Sequence, residues 1–168
     1  MPALFIMTQN YTWRRATGQD VAAIVQMAER DFQTEIDTVF RADPIAYARN
    51  VTIAVVQQFY LPNQELLMVC HNQHDQLLAY VWVVRETAPW SDEVMAATRM
   101  VHVDLSLPTR TRIRLVQEMI GFWEVWAQES SIRIVCSTTM RRDTAGFLRI
   151  HAAAGYDVRG SIAYKRLK

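Results

Sequence analysis

Two side chains that can accept a proton, those of His102 and Asp104, lie two residues apart in the stretch from Thr98 to Leu107. This stretch alternates apolar and polar residues, which predicts a β-strand. One face of that strand would carry His102, Asp104 and Ser106, and the other Val101, Val103, Leu105 and Leu107. Because residues i and i+2 share a face, the pair is either a proton-accepting site or a polar strand face that happens to contain both.

Three arginines, Arg110, Arg112 and Arg114, follow this strand within the first turns of a helix predicted to begin at Pro108-Thr109. Cations at a helix N-terminus oppose the helix dipole, which favours anions there. A bound anion would reverse that sign and add charge-assisted hydrogen bonds. The cluster is therefore either an anion site, which an acidic protein surface or a nucleic-acid phosphate could fill, or a set of solvated arginines.

The composition of the 168-residue chain indicates one ordinary globular domain, residues 1–168, with residues 1–10 as an N-terminal extension. Its net charge of +1 gives no global field for nucleic acid or membrane, which makes a nucleic-acid partner less favoured without excluding it. Of its 18 basic residues, 12 follow from Arg99 onward, so an acidic partner of the C-terminal half is plausible. Cys70 and Cys136 are expected to be buried free thiols. We expect no metal, no membrane association and a cytoplasmic location.

Helix and strand signals follow one another along the whole chain. Thr17-Gly-Gln-Asp20 resembles a capping box, and Asp43-Pro44 is an N-cap with proline at the first helical position. The first half of the chain is predicted to form a strand 11–16, a helix from 17, a helix from 43 to before Pro62, and a hairpin of strands 66–70 and 77–84 around a solvated turn 71–75. A loop 88–93, the strand 98–107 and a helix from 109 follow. The last part is predicted to form a buried strand 132–136, a helix 143–154 ended by Gly155, and closing strands within 158–167.

This order resembles that of the GCN5-related N-acetyltransferase (GNAT) fold. The sequence Gln76-Leu-Leu-Ala-Tyr-Val-Trp-Val-Val84 is similar to the family's third strand, and residues 101–127 resemble its cofactor-binding segment. The late helix, Thr144-Ala-Gly-Phe-Leu-Arg-Ile-His-Ala-Ala-Ala-Gly-Tyr156, resembles the family's last helix. The resemblance implies an α/β fold with a mostly antiparallel sheet, splayed parallel strands and about four helices.

The resemblance also implies acetyl-CoA as cosubstrate and a small-molecule or protein amine as acceptor. The predicted proton acceptor is His102 or Asp104. His151 stands where the family often has a tyrosine that protonates the leaving thiolate, with Tyr164 as a fallback. The predicted cofactor-binding residues are Leu105, Leu107, Thr109, Arg110, Thr111, Arg112, Ile113 and Arg114.

The chain departs from the family at the loop that holds the cofactor's pyrophosphate. Family members carry glycines there, which let backbone N–H groups approach the phosphates. The equivalent stretch here, Pro108-Thr-Arg-Thr-Arg-Ile-Arg114, contains no glycine. Arginines can restore charge to such a loop, but they cannot restore close backbone contact.

Two functions follow from the sequence. The first is an acetyl-CoA-dependent N-acetyltransferase with a degenerate, glycine-free pyrophosphate loop. The second is a non-catalytic GNAT-like binding or structural module that docks an acidic protein at the helix end carrying Arg110–Arg114. The stretches VHVDLSLPTRTR and VRGSIAYKRLK look like GNAT-like proteins of tailed bacteriophages, which implies a place in the host cytoplasm or the virion.

Overall fold

The strands form one mixed sheet in the computed structural model, which describes residues 7–8, 10–35, 40–139, 141 and 144–160. Within these residues the sheet has six strands in chain order. They are β1 (Met7–Thr8), β2 (Tyr11–Arg15), β3 (Glu65–Asn72), β4 (Leu77–Thr87), β5 (Val94–Val103) and β6 (Ile134–Cys136). Neighbours are antiparallel except β5 and β6, which run parallel. The predicted mixed, mainly antiparallel sheet is confirmed.

Helices cover both faces of the sheet. The described α-helices are α1 (Val21–Glu35), α2 (Pro44–Tyr60), α3 (Thr109–Glu129) and α4 (Ala145–Ala153). One core lies between the sheet and α3, around Trp123, and α4 packs against it through Ile150. The second core lies on the opposite face, where Ile24 of α1 and Val51 of α2 meet the strands. The predicted α/β class with about four helices is confirmed.

The helix starts match their local signals. The Asp43 side chain accepts a hydrogen bond from the Ala46 N–H at 3.0 Å, and Pro44 is the first helical residue of α2. Helix α3 begins at Thr109, directly after Pro108. Asp20 accepts a bond from the Thr17 N–H at 2.7 Å, in a short 3₁₀ turn (Gly18–Asp20) that precedes α1. These starts could be predicted because the residues that cap them are neighbours in sequence.

Strand β5 differs from its predicted range, residues 98–107. It begins earlier, where Val94 pairs with Thr87 of β4 across the predicted loop 88–93, and it ends at Val103. The chain turns at Asp104, whose side chain accepts from the Ser106 N–H at 2.9 Å while its carbonyl accepts from the Leu107 N–H at 3.2 Å. The predicted strand therefore ran past a turn made by an aspartate, and Leu105 and Leu107 lie in that turn.

Some burial predictions are wrong. The apolar spacing of residues 113, 116, 119, 120, 123 and 127 predicts that Ile113 faces the core. Ile113 is 41% exposed because it lies about 200° around α3 from Leu115, which is on the buried side. Ile134 of β6 is exposed because this short strand ends the described sheet. Leu148 of α4, which the apolar pattern 147, 148 and 150 predicts to face inward, is also exposed. His71, expected in a solvated turn, is a buried residue of β3 with its Nε2 atom 3.4 Å from Asp20 Oδ1.

Other expectations fall partly outside the described residues. The closing strands were predicted within residues 158–167; residues 158–160 are not in a strand, and 161–168 lie outside the description. The predicted helix start at Asp143 lies outside it too, whereas the helix end at Gly155 is confirmed by a φ of 88°. Cys70 is buried, Cys136 is half-buried, and both are free thiols. Among the described helices, none combines the length and hydrophobicity needed to cross a membrane.

Candidate functional site

Strands β5 and β6 separate shortly after they pair. Their ladder runs from Met95 with Ile134 to Ala97 with Cys136 and then stops. Beyond it, the Thr98 hydroxyl donates to or accepts from the Ser137 hydroxyl at 3.2 Å, and it also accepts from the Thr138 N–H at 3.4 Å. Hydrogen bonds of the Thr98 side chain thus replace the backbone ladder between β5 and β6. From Thr98 onward, the edge of β5 that faces away from β4 has no strand partner within the described residues. This opening is called the split below.

A β-bulge in β5 lies where the split opens. Trp82 of β4 pairs with Met100, and the next β4 residue, Val83, pairs with Thr98. Arg99 is therefore the extra residue of β5. A bulge bends its strand and re-aims the side chains around it, so β5 turns away from β6 at this position.

Arg141 reaches across the split. Its Nη2 atom donates to the carbonyl oxygen of Val101 at 3.2 Å, from the segment that follows β6. A backbone carbonyl of the free β5 edge thus points into the split and accepts a charged donor. This shows that the exposed edge of β5 can form hydrogen bonds with a group that is not a strand.

The N-terminus of α3 has its free N–H groups at the same end of the sheet. The first intrahelical bond is from the Arg112 N–H to the Pro108 carbonyl, which leaves Thr109, Arg110 and Thr111 without intrahelical acceptors. Pro108 supplies no side-chain cap, and the first turn contains no acidic residue. Because such an end favours an anion, the predicted cofactor-binding residues Thr109 to Arg112 are grouped where an anion is stabilised.

The arginines of this helix end lie in different places. Arg112 folds back to Thr109, with Nη2 donating to the threonine hydroxyl at 3.1 Å. Its Nε atom is buried and has no partner within the described residues. Arg110 is exposed. Arg114 lies near Tyr11 of β2, whose pKa burial and Glu118 raise to about 12 while Arg114 lowers it.

His102 is buried on the α1–α2 face of the sheet, with 2% of its surface exposed. Its Nε2 atom lies 3.2 Å from Oδ2 of Asp31, and its ring stacks on Tyr80 with centroids 5.4 Å apart. The Tyr80 hydroxyl in turn bonds the Tyr47 hydroxyl of α2 at 2.9 Å. Burial lowers the pKa of His102, against an opposing effect of Asp31. The ring is neutral at pH 7, and its Nε2 atom already has Asp31 as its hydrogen-bond partner.

Asp104 is the second predicted proton acceptor, and it lies in the turn rather than on the strand. Its Oδ1 atom is 3.3 Å from Nη2 of Arg30, and the Nε atom of Arg30 donates to Asp31 Oδ1 at 3.0 Å. His102 and Asp104 were predicted to share a strand face; they are linked instead through the Arg30–Asp31 pair. The Oδ1 atom of Asp104 also accepts from the Ser106 N–H, so both of its described contacts are within the protein.

His151 lies on the opposite face, between α4 and α3. It is 2% exposed, its ring is 3.9 Å from that of Phe147 by centroids, and it stacks on Trp123 at 6.0 Å. Nδ1 donates to the Phe147 carbonyl at 2.9 Å, and burial lowers the pKa of the ring. The neutral ring therefore carries a lone pair, not a proton, on the unpartnered Nε2. The predicted role of His151 as an acid would require a proton at that atom.

A cleft of about 560 Å³ lies between α2 and the sheet, and it reaches the bulge of β5. Its polar lining includes Glu65 of β3, Trp82 of β4, Arg99 of β5 and the α2 amides Asn50 and Gln57. Glu65, Val84 and Ala97 occupy one row across the sheet, and Ala97 is the last β5 residue paired with β6. The cleft therefore extends from Glu65 to the point where the split begins.

Sequence reasoning missed this cleft and its charged residues. Glu65 opens an otherwise apolar strand, and Trp82 lies inside an apolar run, so each could have been noticed as a break in pattern. Nothing in their spacing of 17 residues indicates that the Trp82 indole donates to Glu65 Oε1 at 2.5 Å. That contact depends on the register between β3 and β4.

Comparisons with known proteins bear on the fold. No protein-family model and no curated protein sequence matches the chain. Solved structures do match it. A predicted acetyltransferase from Clostridium acetobutylicum, solved with acetyl-CoA, is 11% identical and has a TM-score of 0.68, with 93% of this chain and 96% of that chain covered. Glucosamine-6-phosphate N-acetyltransferase from Arabidopsis thaliana is 12% identical, with a TM-score of 0.67 and coverage of 95% and 100%.

A third structure agrees with these two. An aminoglycoside antibiotic 6′-N-acetyltransferase from Acinetobacter baumannii is 12% identical and has a TM-score of 0.66, with 94% of this chain and 98% of that chain covered. The alignments extend over nearly the whole length on both sides. At such low identity the agreement concerns the backbone and not the side chains of the site. The chain has the fold of the GCN5-related N-acetyltransferases.

Proposed function

We propose that this chain is an acetyl-CoA-dependent N-acetyltransferase, with the cosubstrate in the split between β5 and β6 and the acceptor amine in the α2 cleft. One observation carries the proposal: the split, the uncapped end of α3 and the cleft converge on β5. A thioester held along the free edge of β5 would meet an amine from the cleft at the bulge. Such an arrangement supplies the alignment on which acyl transfer depends.

The residues of the α3 end fit a pyrophosphate. Free N–H groups at Thr109, Arg110 and Thr111 are donors at one helix end, and the Arg112 guanidinium folds back to Thr109 beside them. Leu105 and Leu107, half-buried in the preceding turn, offer apolar contact beside it. Bound acetyl-CoA supplies the activated acetyl group as a thioester. The side chains at each of these positions keep the backbone farther from an anion than glycine would.

Proton transfer from the amine has three candidate acceptors. His102 and Asp104 are those proposed from the sequence, and each is linked to the Arg30–Asp31 pair. Glu65 is the third. It is the carboxylate that lines the cleft among the described residues, so a bound amine could reach it directly or through one water.

Two measurements test the proposal. Titration of the purified chain with acetyl-CoA should show saturable binding, with a dissociation constant above about 1 µM because the loop lacks glycine. Acetyl transfer to small amines and to lysine peptides should then be detectable. Changing Glu65, His102 and Asp104 singly should identify the proton acceptor by a rate loss of about 10²–10⁴ with cofactor binding retained. Absence of acetyl-CoA binding would reject the enzyme.

A binding module without acetyl transfer is the second candidate function. It is favoured by the arginines at the uncapped end of α3, where an acidic protein surface would meet Arg110 and the N–H groups together. Such a partner should co-purify with the chain and dissociate as salt is raised. The resemblance to phage proteins makes a virion protein or a host protein the corresponding partner. Tight acetyl-CoA binding with turnover, and no stable partner in pull-downs, would reject this candidate.

A further inference from the structure

Three charged side chains line the α2 cleft: the carboxylate of Glu65 and the guanidinium groups of Arg85 and Arg99. Glu65 and Arg99 both line it, yet no ion pair within 4.0 Å joins them. The Arg99 charge is near enough to lower the pKa of Glu65, against a larger rise caused by burial. The cleft therefore offers a ligand one negative group and two positive groups, of which Arg99 acts on the Glu65 carboxyl.

The Glu65 end is built to hold a cation. The residue is 4% exposed, and its Oε1 accepts from the Trp82 indole at 2.5 Å, which fixes the carboxylate and leaves the second oxygen to a ligand. Among the described residues, no other hydrogen bond to this carboxylate is formed. A partly desolvated carboxylate beside an indole ring is a favourable environment for an ammonium group.

The Arg99 end is built to hold an anion. Arg99 is the extra residue of the bulge, so its side chain points to the α2 face next to Met100 rather than into the ladder. Its guanidinium is exposed and, within the described residues, has no hydrogen-bond or ion-pair partner. A planar, unpaired guanidinium binds a carboxylate through two parallel bonds.

We propose that the acceptor is a zwitterionic amine, a molecule such as an amino acid or short peptide whose ammonium group binds Glu65 and whose carboxylate binds Arg99. This inference rests on the proposed function, since it names the substrate class of the same cleft. A volume of about 560 Å³ suits a molecule of that size. Asn50 and Gln57 on α2 add amides that can bond the polar atoms between the two charges.

The reaction balances with Glu65 as the first proton acceptor. The bound ammonium gives one proton to Glu65, directly or through water, and becomes a nucleophilic amine. Its nitrogen forms a bond to the carbonyl carbon of the thioester as the C–S bond breaks. The second amine proton neutralises the departing thiolate. The products are an N-acetyl amino acid and a free thiol, and Glu65 returns its proton to solvent.

The test uses the full chain and measures acceptor binding without acetyl-CoA. The probes are β-alanine, γ-aminobutyrate and glycylglycine, each compared with its carboxamide by calorimetry and by chemical-shift perturbation. The variants are Glu65→Gln, which keeps a hydrogen-bond acceptor for Trp82, and Arg99→Gln at an exposed position. Arg49→Gln is the matched control, because Arg49 is an exposed arginine of α2 that does not line the cleft.

We expect at least one carboxylate probe to bind about tenfold or more tightly than its carboxamide. Arg99→Gln should remove that preference, Glu65→Gln should weaken every amine about tenfold, and Arg49→Gln should change neither. Equal affinity for acids and amides, no binding of any probe, or a preference that survives Arg99→Gln would overturn the proposal. Acetyl-CoA titration without acceptor reports separately on the proposed function, so failure of the two can be told apart.

Discussion

Glu65 and Ala97 lie on one row of the sheet, two strands apart and joined through Val84, and Ala97 is the last β5 residue that pairs with β6. Adjacent strands are about 4.8 Å apart, so the buried carboxylate is roughly 10 Å across the sheet from the start of the split. The register between β3, β4 and β5 thus connects a charge on one strand to the opening beside another.

The first prediction is that Glu65→Gln increases stability while it weakens acceptor binding. Burial raises the pKa of Glu65, with Trp82 and Arg99 opposing. A carboxyl whose folded pKa exceeds its unfolded value destabilises the folded state at pH values above both. Glutamine removes that charge and still accepts from the Trp82 indole. Urea unfolding near pH 7 should show a higher midpoint with an unchanged slope, and a lower midpoint would show that the carboxylate is stabilised by its surroundings.

The second prediction separates the arginines of α3. Arg112→Ala should weaken coenzyme A binding about tenfold or more, because its guanidinium folds back onto the helix end with a buried, unpartnered Nε. Arg114→Ala is the matched control on the same helix. It should leave binding within about threefold, since its guanidinium lies near Tyr11 of β2 and acts on the pKa of that hydroxyl. Calorimetric titration of both variants checks this, and equal effects would place the phosphates farther along the helix.

The third prediction concerns the acid side of the stability profile. Burial lowers the pKa of His71, His102 and His151. Below about pH 6.5 these histidines are protonated in the unfolded chain but still neutral in the folded chain. The free energy of unfolding therefore falls as pH decreases. The slope is at most about 1.4 kcal/mol per pH unit for each histidine. The loss continues until pH passes the lowered folded pKa values.

Unfolding in urea at about pH 7.5 and about pH 5.5 measures this change. His71→Gln should reduce the difference between the two pH values, because it removes one buried titrating group. His74→Gln is the matched control, since His74 is an exposed residue of the β3–β4 turn. A free energy of unfolding that is flat between these pH values would show that the buried rings protonate without cost.

The fold could be predicted where sequence neighbours determine the local structure. Asp43 and Pro44 start α2, and Pro108 precedes α3, because capping acts over a few residues. The end of β5 could have been predicted from Asp104, because aspartate favours turns. The alternation of apolar residues continues past Asp104, however, and it predicted a longer strand. Alternation alone does not distinguish a strand from a turn followed by a half-buried leucine.

The site was less predictable because its contacts depend on tertiary register. His102 was placed on the correct strand face, yet its partner is Asp31 of α1, 71 residues away in sequence. His151 was placed on the correct helix, and its hydrogen bond to the Phe147 carbonyl is local, but its stacking on Trp123 depends on how α4 packs against α3. Glu65 and Arg99 do not belong to any sequence motif that would indicate a site. Their proximity follows from two antiparallel pairings and one bulge.

The last prediction decides how much the missing glycines matter. In a helix each Cα–Cβ bond tilts toward the N-terminus, so the side chains of the first turn crowd an anion that approaches the free N–H groups. Thr111 lies in that turn, is half-buried and has no intrahelical acceptor for its N–H. Thr111→Gly should therefore bring the backbone closer to a phosphate and raise coenzyme A affinity several-fold. It should also cost about 1 kcal/mol of stability relative to Thr111→Ala, which keeps the Cβ atom and should not change affinity.

Calorimetric titration and urea unfolding of the pair measure both effects without altering any charge. Equal affinity in the two variants would show that the loop reaches its ligand through arginine side chains alone, and absence of binding in both would favour the acidic-partner module.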